Sequence, residues 1–152
     1  MAVKPIPEGY HSVTPYLIVN GSARLIDFMK QGFGAEEIFR MDSPQGIGHA
    51  EVRLGDSIVM LSDGNDQNPP RTAMLHIYLA DVDAAYERAL KAGAKSVREP
   101  ANQFYGDRSA GVEDEFGNQW WLATHVEDVP ADEMERRAAE AMLAMQGAST
   151  SA

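Results

Sequence analysis

One plan of secondary structure is predicted twice along this chain. A glycine turn that leads into an apolar run occurs at residues 54–61, around Gly55, and recurs at residues 116–122, around Gly117. In both halves this run follows a strand, a helix and two further strands, so each half reads β-α-β-β-β. A supersecondary unit that recurs along the chain indicates a duplicated module. A pair of such β-rich modules leaves room for a small-molecule cleft.

The first module is predicted over about residues 11–63. It begins with a strand at residues 13–19, and a helix and a second strand follow. His49 and Glu51 then alternate with apolar residues, which is the period of a strand with one polar face. Residues 56–61 form the hairpin partner of that strand.

The second module is predicted over about residues 73–126, after a polar linker at residues 64–72 that contains a Pro-Pro pair. Its first strand spans residues 74–79, and Asp81 then caps a helix that ends at Gly93. Three strands complete the module. The predicted fold class is therefore α+β, with two tandem βαβββ modules, each a curled mixed sheet, in a single domain over residues 1–152.

A final helix is predicted at residues 130–145, where Pro130 and nearby acidic residues suit a helix start. One of its faces carries an apolar stripe made of Met134, Ala138, Ala141, Met142 and Met145. Two interpretations are open for this stripe. It packs on the domain or on a partner subunit, or it forms a methionine-rich ligand surface. We expect the tail at residues 147–152 to be disordered.

The composition excludes several classes of function. Thirteen Lys and Arg against 23 Asp and Glu give a formal charge of −10, which repels nucleic acids and anionic membranes. The absence of cysteine excludes disulfides, thiolate zinc sites and cysteine nucleophiles. We also find no apolar run of membrane-spanning length and no signal-peptide pattern. We therefore expect a soluble, cytoplasmic protein.

Three residues could carry metal or acid–base chemistry. His49 and Glu51 share a strand face, so they can pair as a ligand and a base. His76 lies early in the first strand of the second module, where a metal ligand could point inward. The alternative for each histidine is a partly buried ring held by hydrogen bonds.

Three other residues suit a planar or charged ligand. Tyr105 and Arg108 belong to a segment that combines aromatics, an acid and a guanidinium just before a strand. Arginine can bind a carboxylate or phosphate through two hydrogen bonds, and an aromatic ring can stack. Trp120 and Trp121 are adjacent in a strand and so face opposite sides of the sheet. We expect one to fill the core between sheet and helix and the other to face the concave side of the sheet or a partner, where an indole closes a cavity or stacks on a flat ligand.

These segments resemble the vicinal oxygen chelate superfamily, which contains glyoxalases, bleomycin-resistance proteins and extradiol dioxygenases. The nearest resemblance is to its PhnB-like branch. It rests on residues 14–17, 26–28, 33–35, 49–56, 104–108, 114–117 and 123–125. The resemblance implies paired βαβββ modules, each curled into a half-open sheet, in a homodimer.

The resemblance also implies where a metal site would lie. Metal-dependent members place ligands on the first and last strand of each module, and these positions fall on Thr14, on Val59 or Met60, on His76 and on Trp121. Only His76 is of a ligand type, so the metal-based chemistry of the family lacks its usual donors. If a metal is bound, His76 with His49 and Glu51 would form a displaced site.

Three hypotheses follow for function. The first is a metal-free, homodimeric protein that binds a small aromatic or planar ligand in a cleft, with no cofactor, and the acidic surface suits a cationic ligand. Its candidate ligand-binding residues are His49, Glu51, His76, Tyr105, Arg108 and Trp121. The second is a lyase, isomerase or dioxygenase with a displaced divalent metal. The third is an assembly or regulatory module whose cleft has lost its role.

Overall fold

The computed structural model describes residues 2–149. Its elements follow the predicted order twice and then add one helix. They are β1 (Tyr16–Val19), α1 (Ser22–Phe33), β2 (Glu36–Ser43), β3 (Gly46–Leu54), β4 (Ser57–Asp63), β5 (Met74–Tyr78), α2 (Val82–Lys91), β6 (Lys95–Asn102), β7 (Asp107–Glu113), β8 (Gln119–His125) and α3 (Ala131–Ser149). The predicted α+β class with tandem βαβββ units is confirmed.

Each module forms its own four-stranded mixed sheet with the same topology. Sheet A has the order β1-β4-β3-β2, and sheet B has the order β5-β8-β7-β6. In both sheets the first strand pairs in parallel with the last strand, and the remaining pairs are antiparallel. The parallel pair requires a crossover, and the helix of each module provides it.

Some element ends differ from the sequence prediction. The first strand begins at Tyr16 rather than at residue 13, because Pro15 has no N–H to donate to the ladder and contributes only its carbonyl, to the N–H of Met60. The third helix runs from Ala131 to Ser149, so it extends past the predicted end. Part of the predicted disordered tail is therefore helical, while residues 150–152 lie outside the described residues.

The start of α1 is fixed by the side chain of Asp63 at the end of β4. The carboxylate of Asp63 accepts hydrogen bonds from the backbone N–H of Gly21 and Ser22 at the start of α1, and from that of Ile47 in β3. Burial raises the pKa of Asp63, but these three donors outweigh burial and lower the pKa below its usual value. One carboxylate thus fixes α1 against sheet A.

The buried residues of both modules form one cluster. The helix α1 contacts β2, β3 and β4, while α2 contacts β6, β7 and β8, and the two helices contact each other. Trp120 of sheet B is fully buried, and its ring lies 5.2 Å from the ring of Phe33 and 6.2 Å from that of Phe28, both on α1. The predicted core role of one tryptophan is confirmed.

We call the face of each sheet that points away from its helix the open face. On the open face of sheet A, Met60 pairs with Tyr16 on one side and with Glu51 on the other. Met60 rather than Val59 therefore has the open position, because Val59 points into the core. Tyr16 rather than Thr14 lies opposite Met60, since Thr14 precedes β1.

The open face of sheet B has an equivalent row of residues. Trp121 pairs with His76 on one side and with Gly111 on the other, and Gly111 pairs in turn with Arg98 of β6. The duplicated topology thus places His76 and Trp121 where sheet A has Tyr16 and Met60. It places Gly111 where sheet A has Glu51.

The turn between β7 and β8 is held by a buried acid. Asp114 accepts hydrogen bonds from the backbone N–H of Phe116 and Asn118, from the Asn118 amide and from the Trp120 indole. The amide oxygen of Asn118 in turn accepts from the N–H of Ala73 at the end of the linker. This network joins the turn, the core tryptophan and the linker.

Candidate functional site

Three side chains form a hydrogen-bonded chain on the open face of sheet A. The Nδ1 atom of His49 lies 3.1 Å from the hydroxyl oxygen of Tyr16, and the Nε2 atom lies 2.8 Å from a carboxylate oxygen of Glu51. The prediction that His49 and Glu51 share one face is confirmed. Because both ring nitrogens of His49 have partners, the imidazole is held in a fixed orientation.

An aromatic side chain flanks this group. Phe39 pairs with Glu51 across β2 and β3, and its ring lies 6.2 Å from the His49 ring. Phe39 is half exposed, at 49%. Sheet A therefore offers an aromatic surface with one acid–imidazole pair at its centre.

His76 lies on the open face of sheet B beside Tyr78, with 5.0 Å between the ring centroids. His76 is exposed, and within residues 2–149 its ring makes no hydrogen bond. Both residues line a cavity of about 590 Å³ together with the N-terminal segment around Val13 and the turn between β3 and β4. A cavity of this size accommodates a small organic ligand.

Trp121 lies flat against the strand beside it. A Cβ atom on Gly111 would lie 2.8 Å from the Trp121 ring, so only glycine leaves room for the indole there. The guanidinium carbon of Arg98 lies 4.8 Å from the centroid of the same ring, which is the distance of a cation–π contact. The prediction that Trp121 faces the side of the sheet away from the core is confirmed.

Arg98, Gly111 and Tyr78 were not identified from the sequence. The strand β6 has register shifts on both sides of Arg98, between Ser96 and Arg98 and between Arg98 and Ala101. Such irregularities interrupt the alternation from which a strand face is predicted. The position of Gly111 shows only when the pairing of β7 with β8 is known.

Arg108 lies away from these residues, whereas Tyr105 lies within electrostatic reach of Tyr78. The guanidinium of Arg108 binds the carboxylate of Asp83 on α2 through two hydrogen bonds of 2.7 and 2.9 Å. These contacts raise the pKa of Arg108 and lower the pKa of Asp83. Tyr105 lies in the turn before β7, with its ring edge-on to Phe104. The structure thus brings Arg108 to the helix side of the sheet rather than to the open face.

A buried acid organises the end of the open face of sheet B. Asp107 is almost fully buried and accepts hydrogen bonds from the Tyr78 hydroxyl and from Nδ1 of His125, each 2.8 Å long. The Nε2 atom of His125 lies 2.8 Å from Asp128. Burial raises the pKa of Asp107, but the bonds from His125 and Tyr78 lower it overall. The two carboxylates raise the pKa of His125, which favours an imidazolium.

A second cavity, of about 750 Å³, lies beside the linker and the turn between β2 and β3. It is lined by the open-face residues Tyr16 and Ile18 and by the linker, including Asn65 and Arg71. It contains none of His49, Glu51, His76 or Trp121. Its polar lining differs from the aromatic surfaces of the two open faces.

The donor set does not fit a metal centre within one chain. Among residues 2–149, no group of three or more His, Asp or Glu side chains could hold a metal ion. The equivalent open positions of the two sheets carry Tyr16, Met60, His76 and Trp121, of which only His76 is a usual ligand for a divalent metal.

Within residues 2–149, no helix has the length and apolar character needed to cross a bilayer.

The sequence of this chain matches one family model and is similar to two uncharacterized mycobacterial proteins. The family model for the Glyoxalase/Bleomycin resistance protein/Dioxygenase superfamily matches residues 9–122. An uncharacterized protein of Mycobacterium tuberculosis is 35% identical over 136 residues, which cover 82% of this chain and 80% of that protein. An uncharacterized protein of Mycobacterium bovis has the same identity, with 90% of its length covered.

Three solved structures show the same fold. TioX from Micromonospora sp. ML1 has a TM-score of 0.65 and 23% identity over 76% of this chain and 99% of that chain. TnmS3, an antibiotic binding protein from Streptomyces sp. CB03234, has a TM-score of 0.62 and 23% identity over 82% and 98%. The fosfomycin resistance protein FosX from Mesorhizobium loti has a TM-score of 0.55 and 21% identity over 75% and 90%.

Proposed function

This chain belongs to the Glyoxalase/Bleomycin resistance protein/Dioxygenase superfamily, and we propose that it is a metal-free homodimer that binds a small planar ligand. The observation that carries the proposal is the residue set at the equivalent open positions of the two sheets. Tyr16 and Met60 in sheet A, and His76 and Trp121 in sheet B, offer aromatic and thioether surface. Such side chains bind flat apolar groups through stacking and dispersion.

Exposed apolar side chains on the open faces support a dimer. Met74 is 69% exposed and Tyr78 is 62% exposed on β5, and Phe39 and Met41 on β2 are each about half exposed. Apolar surface gathered on one face of a sheet marks a binding surface. We propose that the open face of one protomer, with the ligand, is covered by a second copy.

Names of structural neighbours also support ligand binding. TnmS3 is described as an antibiotic binding protein and FosX as a fosfomycin resistance protein. We propose a related binding role for this chain, in the cytoplasm and within the PhnB-like branch. The absence of cysteine agrees with a reducing compartment.

The proposal is tested on protein purified without chelator. Light scattering coupled to size exclusion should give the mass of a dimer, and elemental analysis should find no stoichiometric metal. A thermal-shift screen of planar aromatic compounds should give hits that disappear in Trp121→Leu and persist in Arg136→Gln, a change at exposed ion pairs with Glu133 and Glu140 within α3. A complete absence of hits would favour the third hypothesis, an assembly or regulatory protein whose cleft no longer binds a ligand.

A second candidate function rests on the contact between His49 and Glu51. This pair could act as a metal ligand and a general base in a lyase, isomerase or dioxygenase, with His76 as a further ligand. Because His49, Glu51 and His76 do not come together as a metal-binding group within residues 2–149, such a centre would draw residues from two protomers. Stoichiometric Zn, Ni, Mn or Fe that is lost in His76→Ala would overturn the metal-free proposal, while no bound metal and no thermal shift on adding any metal would overturn this second function.

A further inference from the structure

Arg98 is held in place above Trp121 on the open face of sheet B. Its guanidinium carbon lies 4.8 Å from the indole centroid, and its Nη2 atom donates a hydrogen bond to the hydroxyl of Ser109. Ser109 is itself buried, and the Trp121 ring rests against Gly111. The arginine side chain is therefore fixed by contacts on two neighbouring strands rather than free in solvent.

This guanidinium lacks the partner that most arginines of the chain have. Among residues 2–149, no carboxylate lies within ion-pair distance of Arg98, and its bond to Ser109 uses one of five N–H donors. The nearest buried acid on this face, Asp107, is already bonded to Tyr78 and His125. Six other arginines form ion pairs: Arg24, Arg40, Arg53, Arg108, Arg136 and Arg137.

A fixed guanidinium with unused donors on a ligand-binding face is suited to an oxyanion. We infer that Arg98 binds the acid group of the ligand, a carboxylate, phosphate or sulfonate attached to a planar ring. The planar part would contact His76, Trp121 and Tyr78, which lie on the same face. This inference rests on the proposed ligand-binding function and names the chemical class of the ligand.

The acidic surface of the chain does not oppose this assignment. The formal charge of −10 repels anions at long range, but a Debye length of about 8 Å at physiological ionic strength screens most of that field. At contact, a hydrogen bond between charged partners dominates, and the planar guanidinium matches the geometry of a carboxylate. The local arginine therefore decides the preference for an acid.

The experiment compares one aromatic acid with its neutral amide. Binding of 2-naphthoate and of 2-naphthamide is measured by calorimetry in the wild type and in Arg98→Gln, because the naphthyl ring absorbs and emits in the same range as tryptophan. We expect the wild type to bind the acid about tenfold or more tightly than the amide, as a charge-assisted hydrogen bond implies. We expect Arg98→Gln to lose this preference and to bind the amide as before.

Two further variants separate the possible outcomes. Arg136→Gln removes an arginine from α3 and should keep the preference. Arg98→Lys keeps the positive charge but not the paired N–H donors of the guanidinium, so it should keep part of the preference. Equal binding of acid and amide by the wild type, or a preference that persists in Arg98→Gln, would overturn the inference and leave the binding function intact. Failure of both probes to bind would contradict the inference and the planar-ligand proposal together. Circular dichroism of Arg98→Gln is the control for folding of this variant.

Discussion

The indole of Trp121 rests against Gly111, because a Cβ atom at residue 111 would lie 2.8 Å from the ring. The two residues pair across β7 and β8. This contact lets the indole lie close to the strand, where its ring also contacts the guanidinium of Arg98. The site therefore depends on the absence of a side chain as much as on the side chains that are present.

The first prediction concerns this contact. Gly111→Ala should push the Trp121 ring off the strand and weaken binding of the aromatic probe about tenfold or more, at a cost of about 1–3 kcal/mol in stability for the overpacked position. The measurements are the calorimetric titration with 2-naphthoate and urea unfolding. The matched control is Gly48→Ala in β3, where the nearest atom to the new Cβ would be 3.4 Å away, an ordinary contact. Equal effects of the two substitutions would contradict this role of Gly111.

The second prediction concerns the buried acid at the turn between β7 and β8. Asp114→Asn leaves donors of Asn118 and Trp120 without a full set of acceptors, so it should lower the free energy of unfolding by about 1–3 kcal/mol. Urea unfolding at neutral pH measures the change. Glu115→Ala is the neighbouring control, because the exposed Arg24–Glu115 ion pair is worth less than about 1 kcal/mol. A larger loss in Glu115→Ala than in Asp114→Asn would refute the prediction.

The third prediction is a pH dependence at His125. Hydrogen bonds to Asp107 and then to Asp128 raise the pKa of His125 in the folded protein above the unfolded value. A raised pKa contributes stability that is complete below about pH 6.5, the ordinary value for histidine, and that is lost as the pH rises through the folded pKa. The stability advantage of the wild type over His125→Gln should therefore shrink toward alkaline pH.

The histidine titration checks this prediction directly. In proton NMR, the midpoint for His125 should lie above about 6.5, and Asp107→Asn should move the midpoint downward because the largest favourable contact is removed. A midpoint at or below the ordinary value in the wild type would show that the two carboxylates do not hold the imidazolium.

The fourth prediction concerns the attachment of α3. Arg137 binds Glu127 before the helix, Glu133 within the helix and the carbonyl of Phe104, so it joins α3 to the second module. Arg137→Ala should increase hydrogen exchange across α3 and expose it to proteases. Arg136→Ala is the control, since the ion pairs of Arg136 among residues 2–149 lie within the helix, with Glu133 and Glu140. If both variants exchange alike, the contacts of Arg137 do not hold the helix.

The apolar stripe predicted on α3 is largely exposed in the structure. Met142 and Met145 are mostly exposed, and so is Leu143 beside them, whereas Met134 and Ala138 nearer the start of the helix are partly buried. No residue of the stripe is buried within the described chain, and Met134, Ala138 and Ala141 are only partly covered. The second half agrees with the predicted role in a contact with a partner subunit, which stays a prediction.

Much of the site was predictable where a strand is regular. The alternation of His49 and Glu51 with buried residues in β3 placed both on one face, and the adjacency of Trp120 and Trp121 placed them on opposite faces. These inferences need only the two-residue period of a strand. The period does not say which tryptophan lies in the core, and the structure shows that it is Trp120.

Other parts of the site were not predictable because they depend on pairing between distant segments. Arg108 looked like a ligand-binding residue, yet the structure pairs it with Asp83 of α2. Arg98 showed no signal, because irregularities in β6 remove the period that would assign it to a face.

The sequence by itself determined the duplicated βαβββ order, the fold class and the family, since these follow from local periodicity, turn glycines and short motifs. Tertiary structure alone decided which residues meet. The register between strands placed Tyr16 opposite Met60 and His76 opposite Trp121, and it set Arg98 across from Gly111. The physical reason is that register and packing are set by contacts between residues far apart in the chain, and a shift of one residue would turn every side chain of a strand to the other face.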